Sequence, residues 1–282
     1  MALSQIRLSK FLTIPGISGG SGLICQDHLL HVISDDSFVL YTFSLSDHSL
    51  RATPLNPQGK ILEHLVKSDK PDFESIAQRG ERLHIFGSGS TAKRCQQVIL
   101  DALTLEVKSV ESVEILYQHM RTEADMQAED FNIEGVFFHQ HNAYFLNRGN
   151  GPLQRNGIFR VSNFSNPAAH QIVFIPKPLP ALGNLTFDFT DAVLIADKVF
   201  FLAGAEATEN TYDDGEILGS AIGVMTFPEL EIIDLQKITA MHKLEGITLY
   251  QQDGSNYTFL LCEDADNGQE ETKVFQLCFR LE

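Results

Sequence analysis

A three-residue pattern recurs down this chain: an acidic or hydroxyl residue, a small residue, then a branched aliphatic residue opening a strand. The copies are Ser21-Gly22-Leu23, Glu74-Ser75-Ile76, Glu134-Gly135-Val136, Asp191-Ala192-Val193 and Glu245-Gly246-Ile247, at spacings of 53, 60, 57 and 54 residues. A near-constant period of this length means that one supersecondary unit is repeated. Each period reads as a meander of four short strands separated by Gly, Asp, Asn or Ser turns, as in Leu23 to Cys25, Leu29 to Ser34, Phe38 to Leu45 and Leu50 to Pro54.

The fifth period has room for only three strands, Leu244 to Tyr250, Tyr257 to Cys262 and Thr272 to Leu281, while Leu8 to Ile14 precedes the first motif unassigned. If that strand becomes the outer strand of the last sheet, the ring closes, no blade is left open, and edges remain only at the short outer strands. The chain therefore reads as all-β, a five-bladed β-propeller forming one domain over 1–282 and closed by its N- and C-terminal strands. Residues 113–130 break the pattern. Ile115, Leu116, His119 and Met120 stand at helical spacing, which predicts a short helical insertion. The alternative is a six-bladed ring in which 113–130 hides a degenerate blade. Two packed β-sandwiches would not explain the period.

Composition narrows the partners. A net charge of −16 excludes a nucleic-acid footprint, which needs a basic face. No stretch approaches the ~20 apolar residues of a membrane span, and the first sixteen residues lack a signal-peptide core. Cys25, Cys95, Cys262 and Cys278 have no CxxC spacing and sit in apolar strand patterns, so they read as reduced thiols of a cytoplasmic protein. A monomer is expected.

In a propeller the inner strands begin on one face beside the axis, so the first residues of the five motifs should converge. Three carboxylates, Glu74, Glu134 and Glu245, would then crowd a partly desolvated channel, where like charges must protonate or bind a cation. Ca²⁺, which takes six to eight oxygen ligands in irregular geometry, fits a set of Ser21, Glu74, Glu134, Glu245 and either Thr190 or Asp191. Zinc is disfavoured, since no His or Cys stands at these positions. The competing reading has each acid capping backbone amides.

The second strands end on the same face. Their tips, Asp35-Asp36-Ser37, Ser88-Gly89-Ser90, Asn147-Arg148-Gly149-Asn150, Ala205-Glu206 and Glu263-Asp264-Ala265-Asp266, together with Lys70, Asp72, Lys93 and Arg94, surround the expected ion. Lys93, Arg94, Arg148 and Asn150 are candidate contacts for a small phosphate-bearing anion. Asp35, Asp36, Asp72 and Glu206 are candidate general bases. The opposite face has only short turns, such as Asp27-His28 and Arg79-Gly80-Glu81, and is expected to offer little room for a pocket.

The order Ser21, Glu74, Glu134, a blade-four oxygen and Glu245 resembles the calcium-activated nucleotidases, or soluble apyrases, five-bladed propellers with an axial calcium. The Glu-Gly-Ile/Val element looks like that of the esterase-like phytases. Lys70-Pro71-Asp72-Phe73-Glu74 with Gly87-Ser88-Gly89-Ser90, and Asn132-Ile133-Glu134-Gly135 with Asn147-Arg148-Gly149-Asn150, resemble an uncharacterised bacterial propeller family. The resemblance implies a calcium-dependent hydrolase of a phosphoester or phosphoanhydride. The alternative is a non-catalytic propeller with a structural Ca²⁺ that binds a ligand or protein.

Overall fold

The computed structural model describes residues 1–207, 216–264 and 270–282. Strand β1 (Leu3–Pro15) comes first. Blade one is β2 (Gly22–Gln26), β3 (Leu29–Ile33), β4 (Val39–Ser44) and β5 (Leu50–Pro54). Blade two is β6 (Phe73–Arg79), β7 (Arg82–Gly87), β8 (Gln96–Asp101) and β9 (Val107–Ser112), and helix α1 (Glu114–Glu123) follows it. Blade three is β10 (Ile133–His139), β11 (Asn142–Asn147), β12 (Gly157–Ser162) and β13 (Gln171–Pro176). Blade four is β14 (Asp188–Ile195), β15 (Lys198–Glu206), β16 (Ile217–Thr226) and β17 (Ile232–Thr239). Blade five contains β18 (Leu244–Asp253), β19 (Asn256–Glu263) and β20 (Glu271–Leu281), with β1 as its outer strand. All pairings are antiparallel, and β1 runs alongside β20 from Leu3↔Leu281 to Pro15↔Glu271. The five-bladed propeller closed by its terminal strands is thus the observed fold.

Strand periodicity builds the ring. Successive side chains of a strand point to opposite faces, so each blade presents one apolar row to each neighbour. In β15, Phe200 packs with blade-five residues such as Phe259 and Phe275, whereas Phe201 packs with Phe137, Leu146 and Phe189 on the blade-three side. Five apolar clusters result, one between each pair of adjacent blades. Helix α1 belongs to the cluster between blades two and three, where it buries Tyr117 and Met120. The Tyr117 hydroxyl donates to the Gly87 carbonyl at 2.9 Å, which pins the helix to the end of β7. The insertion is therefore a helical strut and no sixth blade.

The inner strands share one irregularity. Phe73 pairs with Gly87 but Ser75 with Phe86, so Glu74 is squeezed out of the ladder as a bulge. The same slip isolates Glu134 between Ile133↔Asn147 and Gly135↔Leu146, and Glu245 between Leu244↔Glu263 and Gly246↔Cys262. In blade four it falls between Phe189↔Ala203 and Asp191↔Leu202, so Thr190 is the counterpart of the glutamates. Asp191 instead occupies the small-residue position. That position is narrow: a β-carbon on Gly246 would lie 2.8 Å from Gly22 Cα, and one on Gly135 would lie 2.9 Å from Asp191 Cα.

All four cysteines are free, with Cys95 and Cys262 buried and Cys25 and Cys278 half-buried. No helix among the described residues is long and apolar enough to cross a membrane.

Candidate functional site

The bulges of blades two, three and five aim their side chains into a cavity of about 50 Å³ at the axis, on the face where the inner strands begin. Glu74, Glu134 and Glu245 line it, as expected. So do Asp72, Asn132 and Lys243, each of which immediately precedes the inner strand of its blade. Blade one contributes Asp35, blade four Glu206, and blade five Asp264.

On the side of blades one and two, carboxylate oxygens of Asp35, Asp72 and Glu74 all lie within 4.8 Å of one another. The backbone makes this possible: Asp72 adopts a left-handed φ of +55°, donates its N–H to the Asp35 carbonyl at 2.9 Å and accepts the Ser88 N–H at 2.9 Å. The Asp72 carboxylate accepts the Ser88 hydroxyl and pairs with Arg94 Nη1 at 2.9 Å. Asp35 pairs with Lys70. Glu74 has no hydrogen-bond or ion-pair partner among the described residues. Burial, reinforced by the carboxylates of Glu134, Asp72 and Glu245, holds Glu74 well above the usual carboxylate range. Burial and the Asp264 carboxylate push Asp35 up to about 7 despite Lys70.

The opposite half is cross-linked by two cations. Arg148 is 4% exposed. Its Nη2 lies 2.8 Å from Glu206 Oε1, and its Nη1 lies 3.5 Å from Glu134 Oε1 and 3.9 Å from Glu245 Oε1. Burial opposes the charge on Arg148, but these three acids outweigh it and hold the guanidinium well above its ordinary value. Lys243 Nζ lies 3.2 Å from both Glu245 and Asp264. Burial raises Glu134 and Glu245, and in each case the nearby cations oppose it. Asn132 Nδ2 donates to Glu134 at 2.6 Å and to Asn150 Oδ1 at 3.4 Å. Among the described residues the lining holds seven carboxylates against the five cations Lys67, Lys70, Arg94, Arg148 and Lys243, and no aromatic side chain.

Several expected members stand elsewhere. The proposed axial ligand set is not brought together, since Ser21, Thr190 and Asp191 do not line this cavity. The Thr190 hydroxyl donates to the Leu244 carbonyl at 3.2 Å. Asp191 caps backbone amides, accepting from Ile247 at 2.9 Å and Ala192 at 2.8 Å, the competing reading of the axial acids. Asp36 does not line this cavity and accepts the hydroxyls of Ser18 at 2.7 Å and Ser34 at 2.9 Å. Lys93 is exposed and bonds Asp69 and the Ser68 carbonyl, because the tight turn Ala92–Arg94 sends Arg94 inward and Lys93 out. Arg148 and Arg94 do reach the site, where both pair with protein carboxylates. Glu206 reaches it as the partner of Arg148. Ala265, Asp266 and most of the loop after Glu206 lie outside the described residues. Lys67, Asn132 and Lys243 are lining residues absent from the expected site; the polar position two before each motif glutamate would have found Asn132 and Lys243.

A model of a family of unknown function, DUF6929, matches residues 16–278. No curated protein matches the sequence. Among solved structures, a GH32 β-fructofuranosidase of Bombyx mori superposes with a TM-score of 0.55 at 10% identity over 94% of this chain. The chain spans 62% of that enzyme's length, and the likeness shows the fold alone. A DUF4221 protein from Bacteroides vulgatus (TM-score 0.42, 11% identity, 97% of this chain, 78% of that one) is more distant. So is an auxiliary nutrient binding protein from Bacteroides thetaiotaomicron (0.46, 9%, 99% and 77%). Neither apyrases nor phytases are among these neighbours.

Proposed function

Because the chain belongs to the DUF6929 family, whose function is unknown, we propose its role from the site itself: a propeller that binds a divalent cation beside its axis, held by Asp35, Asp72 and Glu74. The observation that carries this reading is the triad of carboxylates within 4.8 Å, one of them without a partner. The charge balance agrees, since seven acids against five cations leave an excess that two positive charges offset. The donors are oxygens, with the Asn132 and Asn150 side chains nearby and no His or Cys in the lining among the described residues, which suits Ca²⁺. The ligand set is thus off-axis, shared by blades one and two. A cavity of about 50 Å³ suits an ion with a few waters.

The second reading, a calcium-dependent phosphoester hydrolase, is favoured by Lys67 and Lys70 beside the triad, where a phosphate on the ion would meet positive charge.

Calorimetric titration of the chelator-treated protein with Ca²⁺ is expected to show one site, lost in Glu74→Gln. Saturation at a hundredfold excess over Kd should raise stability by about 2.7 kcal/mol. Absence of both binding heat and a melting shift refutes the site. A panel of phosphoesters with and without Ca²⁺ decides between the two readings.

The pH dependence has a defined sign. Asp35 is raised to about 7 and Glu74 is raised as well, so the metal-free folded state holds protons that the unfolded chain releases. That contribution is full at low pH and is lost as pH rises through about 7. Metal-free protein should therefore lose stability as pH rises from about 4 to about 7, while Ca²⁺ affinity should rise over the same window because the ion must displace those protons. Affinity that falls with pH would contradict the assignment.

A further inference from the structure

Beneath the acidic mouth the channel opens again toward the opposite face, where the short turns suggested little room. A cavity of about 210 Å³ lies there, lined by the inner strands of all five blades. Leu23, Ile76, Val136 and Ile247, one residue past the small-residue position in four of the blades, line it with the half-buried Ile24, Val193 and Leu194, and the polar Gln78 and Thr248 stand among them. Among the lining residues Asp191 is the single ionisable group. It is 5% exposed and sits at the level of Gly135 and Gly246, where the ring is narrowest. Its two oxygens accept one backbone N–H each, at 2.8 and 2.9 Å, so half the acceptor capacity of the carboxylate remains. Burial holds the group well above the usual carboxylate range, the state expected of an acid kept apart from any cation.

We propose that this lower channel binds a small aliphatic primary amine, seated as an ammonium ion on Asp191 with its alkyl chain along the apolar wall. A buried carboxylate closing an apolar tube is complementary to that class and to few others. An ammonium brings the three donors and the charge that Asp191 lacks, and the chain replaces water on the half-buried Ile24, Val193 and Leu194. A carboxylic acid or phosphate would meet like charge, and an alcohol would bring no charge. The proposal is independent of the cation site above.

The test is calorimetry in the presence of EDTA, which keeps metal out of the acidic mouth. The probes are n-butylammonium and n-hexylammonium, with n-butanol and n-hexanol as controls, and the variants are Asp191→Asn and Ala192→Leu, the second narrowing the channel. The ammonium ions should bind, with affinity rising about three- to fourfold per methylene that stays inside. Asp191→Asn should weaken them at least tenfold, and Ala192→Leu should abolish them. Equal binding of amine and alcohol, no binding of either, or undiminished amine binding by Asp191→Asn overturns the proposal. If Asp191→Asn does not fold, amine binding that survives Ala192→Leu overturns it instead. If neither variant folds, the amine–alcohol comparison on the unaltered protein still decides.

Discussion

Replacing Arg148 with methionine is expected to destabilise the protein by about 3–5 kcal/mol, the usual consequence of removing one partner from a buried ionic network. Methionine fills much of the arginine volume, so the loss reports charge rather than a hole. Without the guanidinium, Glu206, Glu134 and Glu245 face one another with Lys243 as the remaining nearby cation. They would then take up protons, and the loss should be larger at pH 8 than at pH 6. Lys93→Ala is the control, because Lys93 is an exposed surface partner of Asp69 and its removal should leave stability unchanged within about 0.5 kcal/mol. Chemical unfolding of the three proteins at both pH values makes the comparison. An Arg148→Met protein as stable as the parent would show that the network does not hold the blades together, and would return Arg148 to the role of an anion contact.

Removing residues 1–14 should have the larger effect. β1 contributes Leu3 to the cluster between blades four and five and Ile14 to the cluster between blades five and one, both fully packed. Its loss also strips β20 of its partner along nearly its whole length and leaves a row of unpaired N–H and C=O groups at an apolar edge. Two emptied core positions alone cost more than about 5 kcal/mol, which corresponds to a fall in melting temperature of more than roughly 10 °C at this chain length. Aggregation on expression is the other expected outcome. A truncated protein that remains soluble and melts with the parent would mean that ring closure contributes nothing to stability.

The ring, its closure and the helical insertion were legible because period and alternation are properties of the sequence itself. The motif glutamates were legible for the same reason. Blade four was misaligned by one residue, because Asp191-Ala192-Val193 satisfies the acid–small–aliphatic pattern while the bulge falls at Thr190. A second signal would have corrected it: a large buried apolar residue precedes each of these bulges, namely Phe73, Ile133, Phe189 and Leu244. The charge balance of the axis was not legible. Arg148 and Arg94 come from the far ends of second strands and a turn, and only the ring brings them opposite acids from other blades. For the same reason the sequence could not distinguish Arg94 from its neighbour Lys93, whose directions differ by one step of a tight turn. Nor could the apolar lower channel be seen, because its wall is assembled from residues of every repeat.

The pairing of β1 with β20 also sets an order of events during synthesis. The two strands are separated by almost the entire chain, so β1 must leave the ribosome and wait while about 250 further residues are made. At 5–20 residues per second that is roughly 12–50 s with an unpaired strand in solution. Each of the other four blades is made of consecutive segments and can assemble meanwhile, so the last sheet is finished after the ring has formed around it. The composition of β1 suits that interval: Arg7 and Lys10 interrupt its apolar positions, and charges of this kind discourage a solitary strand from pairing with another copy of itself.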